Sequence, residues 1–519
     1  MNKSRGISAD KPTEGTAGGA RQRSVVLLRF SGDVTTKAPA TRRRFLQRLG
    51  RNIKDSLSSR GIEHRATRSH DRFFVEFQAD EEKSTLEALR NLFGVQSLAL
   101  VEKHDWSTLD DIVRTGERLF REAVRGRTFA VRARRVGDRR TIPFLSEEVQ
   151  RELGAALLPE SGGVSLGSPE VTAALEIMPG EAYYFAQNIR GRGGLPLGCE
   201  GSAVALVSGG FDSPVAAWLL MKRGVALDYV FCNLGGRAHQ LETLQVMKVI
   251  SDRWSAGTRP HFHAVDFDEV TRDLQANVTP RFWQVILKRL MLRAAEAIAR
   301  ERSAAAIITG DAVGQVSSQT LQNLAVVSAA TPLPILRPLV GLNKDEIIDQ
   351  AREIGTHDLS AKVGEYCAMV PSKPATAASL AQVEREEAGL DLSIVERAVA
   401  ERTVFDLRAL DLDSLDRPET QTREIPADAI VLDLRSKAAF QGWHYPDALF
   451  FDFANALRVY RELQKDRSYV LYCEFGLKSG HLAELMQREG FAARHFPGGL
   501  KALVDYARAQ GMGTPEIPS

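Results

Sequence analysis

The sequence predicts a multidomain protein of mixed α/β and α+β class, built around one doubly wound parallel sheet. Two observations predict that sheet. Residues 203–207 form a short apolar run that passes through Ser208-Gly209-Gly210-Phe211-Asp212-Ser213 into a helical pattern, a strand–turn–helix unit. From residue 201 onward, strand and helix patterns alternate, as parallel strands with crossover helices require. A third observation concerns the preceding region, whose strand and helix patterns are of α+β type and carry excess positive charge.

The 519 residues suffice for three or four domains. Hydrophobic residues at 44% and charged residues at 26% describe a soluble globular chain. No apolar stretch reaches the roughly 18 residues of a membrane span. Residues 1–23 are polar, lack a signal-like apolar segment and read as a disordered tail. Only Cys199, Cys232, Cys367 and Cys473 occur, and no C-x-x-C pair. That excludes a disulfide framework and argues against zinc; a reducing cytoplasm fits, with any disulfide transient and catalytic. Residues 1–145 hold 30 Lys/Arg against 18 Asp/Glu, whereas the whole chain carries only +2. A basic front half joined to an acidic remainder suggests a polyanion-binding region, with a solvated charged surface as the alternative.

The elements follow in order. A strand is expected at 25–30 and a helix at 42–57, whose apolar stripe is Phe45, Leu46, Leu49, Ile53 and Leu57. A strand at 73–77 completes a small α+β domain, 24–83. Helices at 84–93, 109–125 and 146–158, with strands at 95–101, 128–135 and 182–189, make a second α+β unit, 84–189. On its strand 128–135, Arg132 and Arg134 alternate with Phe129, Val131 and Ala133, and Arg135 follows. Glycines at 191, 193, 194 and 198 mark a linker. The α/β domain, 190–402, then reads as strands at 203–207, 226–233, 262–267, 304–309 and 333–339 with helices at 213–222, 241–254 and 281–302. A further helix is capped by Asn343 with Glu346 three residues on. After a polar helical stretch at 376–402, a last αβ domain spans 424–519, with strands at 429–433 and 469–473.

The loop Ser208–Ser213 predicts an anion site. Gly209 and Gly210 permit positive φ and close backbone approach, Pro214 suits the first helical turn, and free N–H groups point outward at the helix start. Asp212 supplies a carboxylate where a phosphate-bound Mg²⁺ can sit. The loop lacks the G-K-[ST] ending of a Walker loop and resembles the pyrophosphatase loop of enzymes that split ATP into AMP and pyrophosphate.

Further segments extend the resemblance. Thr309-Gly310-Asp311-Ala312-Val313-Gly314-Gln315-Val316-Ser317-Ser318-Gln319-Thr320 follows a strand, Glu365-Tyr366-Cys367 comes later, and Asn233-Leu234-Gly235-Gly236 and Ile286-Leu287-Lys288-Arg289 stand between. With the loop, these resemble the tRNA 4-thiouridine synthetase family, whose members also carry sulfur in thiamine thiazole synthesis. The resemblance covers nearly everything after residue 24. It implies a ferredoxin-like domain, a THUMP domain for tRNA, an ATP domain and a rhodanese-like domain. It also implies ATP contacts at Leu206, Val207, Ser208, Gly209, Gly210, Ser213, Phe231, Cys232, Lys288, Gly310 and Gln319. Cys232 reads equally as a buried core thiol. Lys344 and Asp311 are further residues near the loop; a lysine at a helix start opposes the dipole, and solvation is the simpler reading of Lys344.

In the last domain, Cys473-Glu474-Phe475-Gly476-Leu477-Lys478-Ser479 joins an apolar strand to a helix. Backbone N–H groups there favour an anionic sulfur and can cradle a persulfide. The loop resembles the active loop of rhodaneses, as do Asp433-Leu434-Arg435 and Gly442-Trp443-His444-Tyr445-Pro446-Asp447-Ala448. Phe475 stands where many such loops carry a basic residue, and Lys478 is the available substitute. No arginine closes the loop, which argues against a cysteine phosphatase.

The resemblance implies an enzyme that adenylates the 4-carbonyl oxygen of tRNA uridine 8 with ATP and Mg²⁺ and replaces that oxygen with sulfur. Cys473 would bear the persulfide, charged by a cysteine desulfurase. Cys367 would then form a transient Cys367–Cys473 disulfide. Two alternatives stay open: a protein-to-protein sulfur relay acting on a carrier-protein C-terminus, and an RNA-binding module with a decayed ATP site.

Overall fold

The computed structural model describes residues 22–69, 71–363, 373–415 and 420–515. The chain packs as two compact units, Met1–Arg29 with Leu57–Arg90 and Ser97–Arg190, and Phe30–Ser56 with Asn91–Gln96 and Gly191–Ser519.

The first unit holds one continuous sheet. Its strands are β1 (Arg23–Phe30), β2 (His64–Ser69), β3 (Arg72–Gln78), β4 (Val95–Asp105), β5 (Thr128–Arg135), β6 (Gly163–Val164), β7 (Val171–Met178), β8 (Glu181–Phe185) and β9 (Ile189–Arg190), in the order β2-β3-β1-β4-β8-β7-β5-β6, with β9 beside β4. The two expected α+β regions therefore share a sheet. The long strand β4 allows this, because Ser97 and Leu98 pair with β9 while Glu102–Asp105 pair with β8. Strands β2 and β7 were absent from the sequence reading. β2 is mostly exposed and polar, and β7 is buried along nearly its whole length on both faces, so neither alternates with period two. Buried Glu176 on β7 accepts from Arg29 at 2.7 Å and from Arg72 at 2.7 Å, so these two arginines serve the fold. On β5, Arg132 and Arg134 are exposed on one face, whereas Arg135 points to the other and donates to the Ile142 carbonyl.

The second unit contains two sheets. The larger consists of β10 (Ser202–Leu206), β11 (Ala226–Asn233), β12 (His261–Asp266), β13 (Ile307–Ile308), β14 (Ile335–Leu336) and β15 (Thr403–Asp406), ordered β14-β13-β10-β11-β12-β15. All pairings are parallel except β12 with β15. The expected doubly wound sheet thus gains an antiparallel edge strand. Apolar clusters cover both faces, one around Trp218, Met247 and Ile250, the other around Leu274, Ile286 and Ile298. The chain builds outward from β10 to β12, then restarts at β13 on the other side of β10. The switch point therefore lies where the loops after β10 and β13 meet.

The smaller sheet is fully parallel, β17-β16-β18-β19, with β16 Ile430–Asp433, β17 Leu449–Phe450, β18 Ser468–Tyr472 and β19 Ala492–His495. Its switch point lies between β16 and β18, at Leu434-Arg435 and Cys473. Among the described residues, no helix is long and apolar enough to cross a membrane.

Candidate functional site

The loop after β10 is tied by the Ser213 hydroxyl, which accepts from the Ser208 N–H at 3.0 Å. Gly209 has φ +69°, and a Cβ there would lie 2.8 Å from Thr243 Oγ1. The helix Asp212–Lys222 starts directly behind it, leaving its first N–H groups directed at the crevice. Gly310, after β13, needs its missing side chain: a Cβ would stand 3.0 Å from the carbonyl carbon of Asp212 and the nitrogen of Ser213. Two loops 100 residues apart therefore close on each other at the switch point.

They border a cleft of about 260 Å³. Leu206, Val207, Phe231 and Cys232 form one wall at the ends of β10 and β11; Ser208, Ser213 and Gly310 form the floor; Lys288 and Gln319 face them. Gly209 and Gly210 belong to the same loop but do not line the cleft. Cys232 is buried, and burial pushes its thiol up, so both readings of this residue meet in one position: a packed thiol in the cleft wall.

The charges are arranged around two carboxylates, Asp212 with one cation and Asp311 with two. Asp212 Oδ1 accepts from Lys344 Nζ at 2.8 Å, and Oδ2 from Gln315 Nε2 at 2.9 Å. Lys344 is thus held against the loop rather than simply solvated. The Asn343–Glu346 capping box that fixes the helix Lys344–Ile354 aims it there. Asp311 is the second centre. It accepts from Lys288 Nζ at 2.7 Å, Thr309 Oγ1 at 2.8 Å, Gln319 Nε2 at 3.3 Å and Arg337 Nε at 3.3 Å. Burial opposes its charge, but Lys288, Thr309 and Arg337 together hold its carboxyl down to about 2. Sequence reasoning placed Lys288, Gln319 and Asp311 near the loop, but missed the role of Asp311 as the carboxylate that orients the other two.

It also missed His239. This imidazole lines the cleft, is hydrogen-bonded to the Ser208 backbone, and packs edge-on to Phe231 with centroids 5.0 Å apart. Burial lowers it to about 4, so it is neutral at physiological pH. The only hint in the sequence is its place four residues after Gly235 in a helix that begins at Gly236, earlier than the glycines suggest.

The second loop follows β18. Cys473 Sγ accepts from the Gly476 N–H at 3.2 Å and the Ser479 N–H at 3.5 Å, with Ser479 Oγ at 3.5 Å. Gly476 at φ +90° turns the chain back around the sulfur. Behind it, Asp433 binds Arg435 and accepts from Tyr472 Oη at 2.6 Å, so the Asp433-Leu434-Arg435 segment braces the strand carrying Cys473. Phe475 is 58% exposed at the loop's rim. Lys478 lies over the Phe453 ring at 5.6 Å. Cys367 lies outside the described residues, as does any Cys367–Cys473 pairing. Among the described residues, no cluster of three or more metal-ligating side chains occurs; the carboxylates that line the cleft are Asp212 and Asp311.

Comparison with known proteins agrees with this layout. Residues 25–99 match the ThiI ferredoxin-like domain, 107–185 the THUMP domain, 198–392 the thiamine biosynthesis protein (ThiI) family, and 417–505 the rhodanese-like domain. The chain is 36% identical over 474 residues to a tRNA sulfurtransferase of Pyrobaculum aerophilum, covering 90% of this chain and 96% of that one. It is 35% identical over 474 residues to that of Marinobacter nauticus, covering 90% and 97%. A solved structure of a 4-thiouridine synthetase–RNA complex with bound ATP superposes with a TM-score of 0.65 at 28% identity, over 74% of this chain and 99% of that one.

Proposed function

The chain belongs to the tRNA sulfurtransferase family, and we propose that it converts a uridine of tRNA, at position 8, to 4-thiouridine. The observation that carries this reading is the presence of two backbone cradles in one chain: one at Ser208–Ser213 beside the cleft, and one wrapped around the Cys473 sulfur. The ATP bound in the related synthetase supports a nucleotide in the first. The RNA in that same complex, with the basic front half here, supports tRNA as substrate.

The chemistry follows from the residues. Attack of the uridine 4-carbonyl oxygen on the α-phosphorus breaks the α–β bond and releases pyrophosphate. The loop N–H groups, Lys288 and Lys344 stabilise its charge. Asp212 would help hold Mg²⁺, whose charge would neutralise the departing anion. The sulfane sulfur of a Cys473 persulfide, supplied by a cysteine desulfurase, then displaces AMP from carbon 4. Attack of the Cys367 thiolate on Cys473 Sγ frees the thiouridine and leaves a Cys367–Cys473 disulfide, which an external thiol reductant reopens.

The proposed division of labour is 24–83 ferredoxin-like, 84–189 THUMP, 190–402 ATP domain and 424–519 sulfur carrier, in a reducing cytoplasm that keeps Cys199, Cys232 and Cys473 as free thiols. A second reading, sulfur delivery to a carrier protein for thiazole synthesis, is favoured by the match of 198–392 to a thiamine biosynthesis family. Nucleoside mass spectrometry after incubation with ATP, a sulfur source and unmodified tRNA tests the main reading. Appearance of 4-thiouridine is expected; its absence, with sulfur passing only to a carrier protein, would leave the second.

A further inference from the structure

The helix Gly236–Trp254 enters the nucleotide domain without a cap of its own. Its N-cap is Gly235, which offers no side chain, and its first turn holds no acidic residue. A helix start left this way has unpaired N–H groups and a partial positive charge. Here the missing cap comes from the sulfur-carrier domain. Glu484, on the helix Leu477–Arg488 that follows the Cys473 loop, accepts from the Arg237 N–H through Oε2 at 2.8 Å.

The fit around that contact is close. A Cβ on Gly236 would lie 2.5 Å from Glu484 Oε2 and 2.9 Å from His481 Nδ1. A Cβ on Gly480 would lie 3.6 Å from the Ala238 Cβ. Arg488 donates to Glu484 Oε1 at 2.7 Å and to Asp268 Oδ2 at 3.3 Å. Gly480, His481, Glu484 and Arg488 fall on one stripe of their helix. His481 is also hydrogen-bonded to the Gly235 backbone.

The turn gripped from outside is the one that walls the nucleotide cleft from inside. Leu234 and His239 line the cleft, and His239 meets the Ser208 backbone of the phosphate loop. We propose that Glu484 is a positioning residue for the nucleotide site: docking of the sulfur-carrier helix caps the Gly236 helix, fixes the Leu234–His239 turn and thereby raises affinity for ATP. Because such coupling is reciprocal, bound ATP strengthens docking by the same factor. The sulfur carrier is thus present when activation begins, and release of the nucleotide loosens it. This rests on the proposed reading of the cleft as the ATP site and adds the link between the two sites.

The test uses the full chain, with equilibrium dialysis of ATP and hydrogen exchange of the 235–240 amides. Loss of a helix cap corresponds to about a fivefold change in an equilibrium constant. Glu484→Ala is expected to weaken ATP binding about fivefold and to speed exchange at Arg237; Glu484→Gln, which keeps an acceptor without the charge, is expected to fall between. Arg488→Asp and Asp268→Arg should each weaken ATP binding, and the double variant should recover to within about twofold of wild type. A merely structural role of these residues predicts no such recovery. Unchanged ATP affinity with faster exchange would overturn the coupling, unchanged exchange would overturn the cap, and a double variant no better than its singles would overturn the docking. ATP binding needs neither tRNA nor sulfur. A wild-type protein that binds ATP but makes no thiouridine therefore refutes the proposed reaction and not this inference.

Discussion

The two functional loops share a backbone device and differ in what fills it. Each follows a parallel strand, β10 or β18, at the switch point of its sheet, and each opens a helix behind a glycine of positive φ, Gly209 or Gly476. At Cys473 the N–H groups already have a hydrogen-bond acceptor in the chain, the sulfur itself. At Ser208–Ser213 the side chains turn aside, Ser213 onto the Ser208 N–H and Asp212 onto Lys344 and Gln315, and the loop is bordered by a cleft. On the proposed reading, the cradle that holds its own nucleophile carries a group, and the cradle with paired charges beside a cleft receives one. The surrounding charge follows the same division. Two lysines stand at the nucleotide loop, whereas the sulfur loop presents exposed Phe475 and keeps Lys478 over an aromatic ring.

The largest test removes the occupant of the second cradle. Cys473→Ser should abolish both persulfide formation and thiouridine synthesis, while pyrophosphate release with tRNA continues. Intact-mass analysis after sulfur loading reads the first effect; thiouridine formed by the variant would show that the loop is not the carrier. The mirror experiment is Asp212→Ala, which frees Lys344 and Gln315 from their shared carboxylate. Pyrophosphate release should fall about 10²–10³-fold, the range for removing an electrostatic element of a preorganised site. Persulfide loading should be untouched, and tRNA affinity should stay within about twofold.

A smaller effect separates space from charge. Gly310→Ala keeps every charge but places a methyl group 3.0 Å from the backbone of Asp212 and Ser213. The loop must shift, and a displacement of this kind is expected to slow activation about tenfold to a hundredfold. An unimpaired rate would mean that the two loops do not need their close approach.

Side chains, not backbone, are the proposed means of meeting the tRNA anion on β5. Arg132 and Arg134 share an exposed face of β5, whereas Arg29 and Arg72 are committed to buried Glu176. The double variant Arg132→Ala/Arg134→Ala should weaken tRNA binding. It should also flatten the salt dependence by about 0.7–0.9 in log–log slope for each lost phosphate contact. A filter-binding titration between about 50 and 200 mM salt reads both. A slope equal to wild type would remove these residues from the tRNA surface.

Much of this was legible because it is local. The phosphate loop declares itself within six residues, the Asn343–Glu346 box within four, and the strand Ala226–Asn233 by its own apolar run. What escaped reading is pairing at a distance. Strand β15 is a short exposed segment, half of it polar, that gains its identity only against β12. Strands β13 and β14 are only two residues each, too short for a pattern of their own, and are recognised by their parallel pairing with β10 and with each other. The helix Asp268–Asn277 has only Val270 and Leu274 buried, too few for a clear stripe. Asp311 looked like one more loop aspartate until Lys288 and Arg337, 23 and 26 residues away, converged on it. The Glu484 cap on Arg237 spans 247 residues and no local pattern contains it.

Two carboxylates of the nucleotide domain supply the smallest and last test. Asp311 is buried and Glu242 half-buried, and their environments push them in opposite directions. Asp311 has cations on two sides and stays charged. Glu242, on the Gly236 helix, has an Oε2 buried without a hydrogen-bond partner among the described residues, and burial raises its carboxyl to about 8. An acid whose folded value lies above its unfolded value binds its proton more tightly when folded. Ionisation therefore works against the fold, and the penalty grows as pH rises from the ordinary glutamate range, about 4.5, to about 8. Glu242→Gln removes that penalty while keeping the shape. It should leave the melting temperature nearly unchanged at pH 5 and raise it at pH 8, on the order of 5 °C for a domain of this size. Asp311→Asn should do the reverse in sign: it loses a charge that its partners favour, so it should destabilise at every pH above the depressed value of about 2, most fully above the ordinary aspartate range. Calorimetry of the two variants across pH 5–8 decides the matter. Equal shifts at both ends of the range for Glu242→Gln would mean that the buried carboxylate is paired in solution and that its environment resembles that of Asp311.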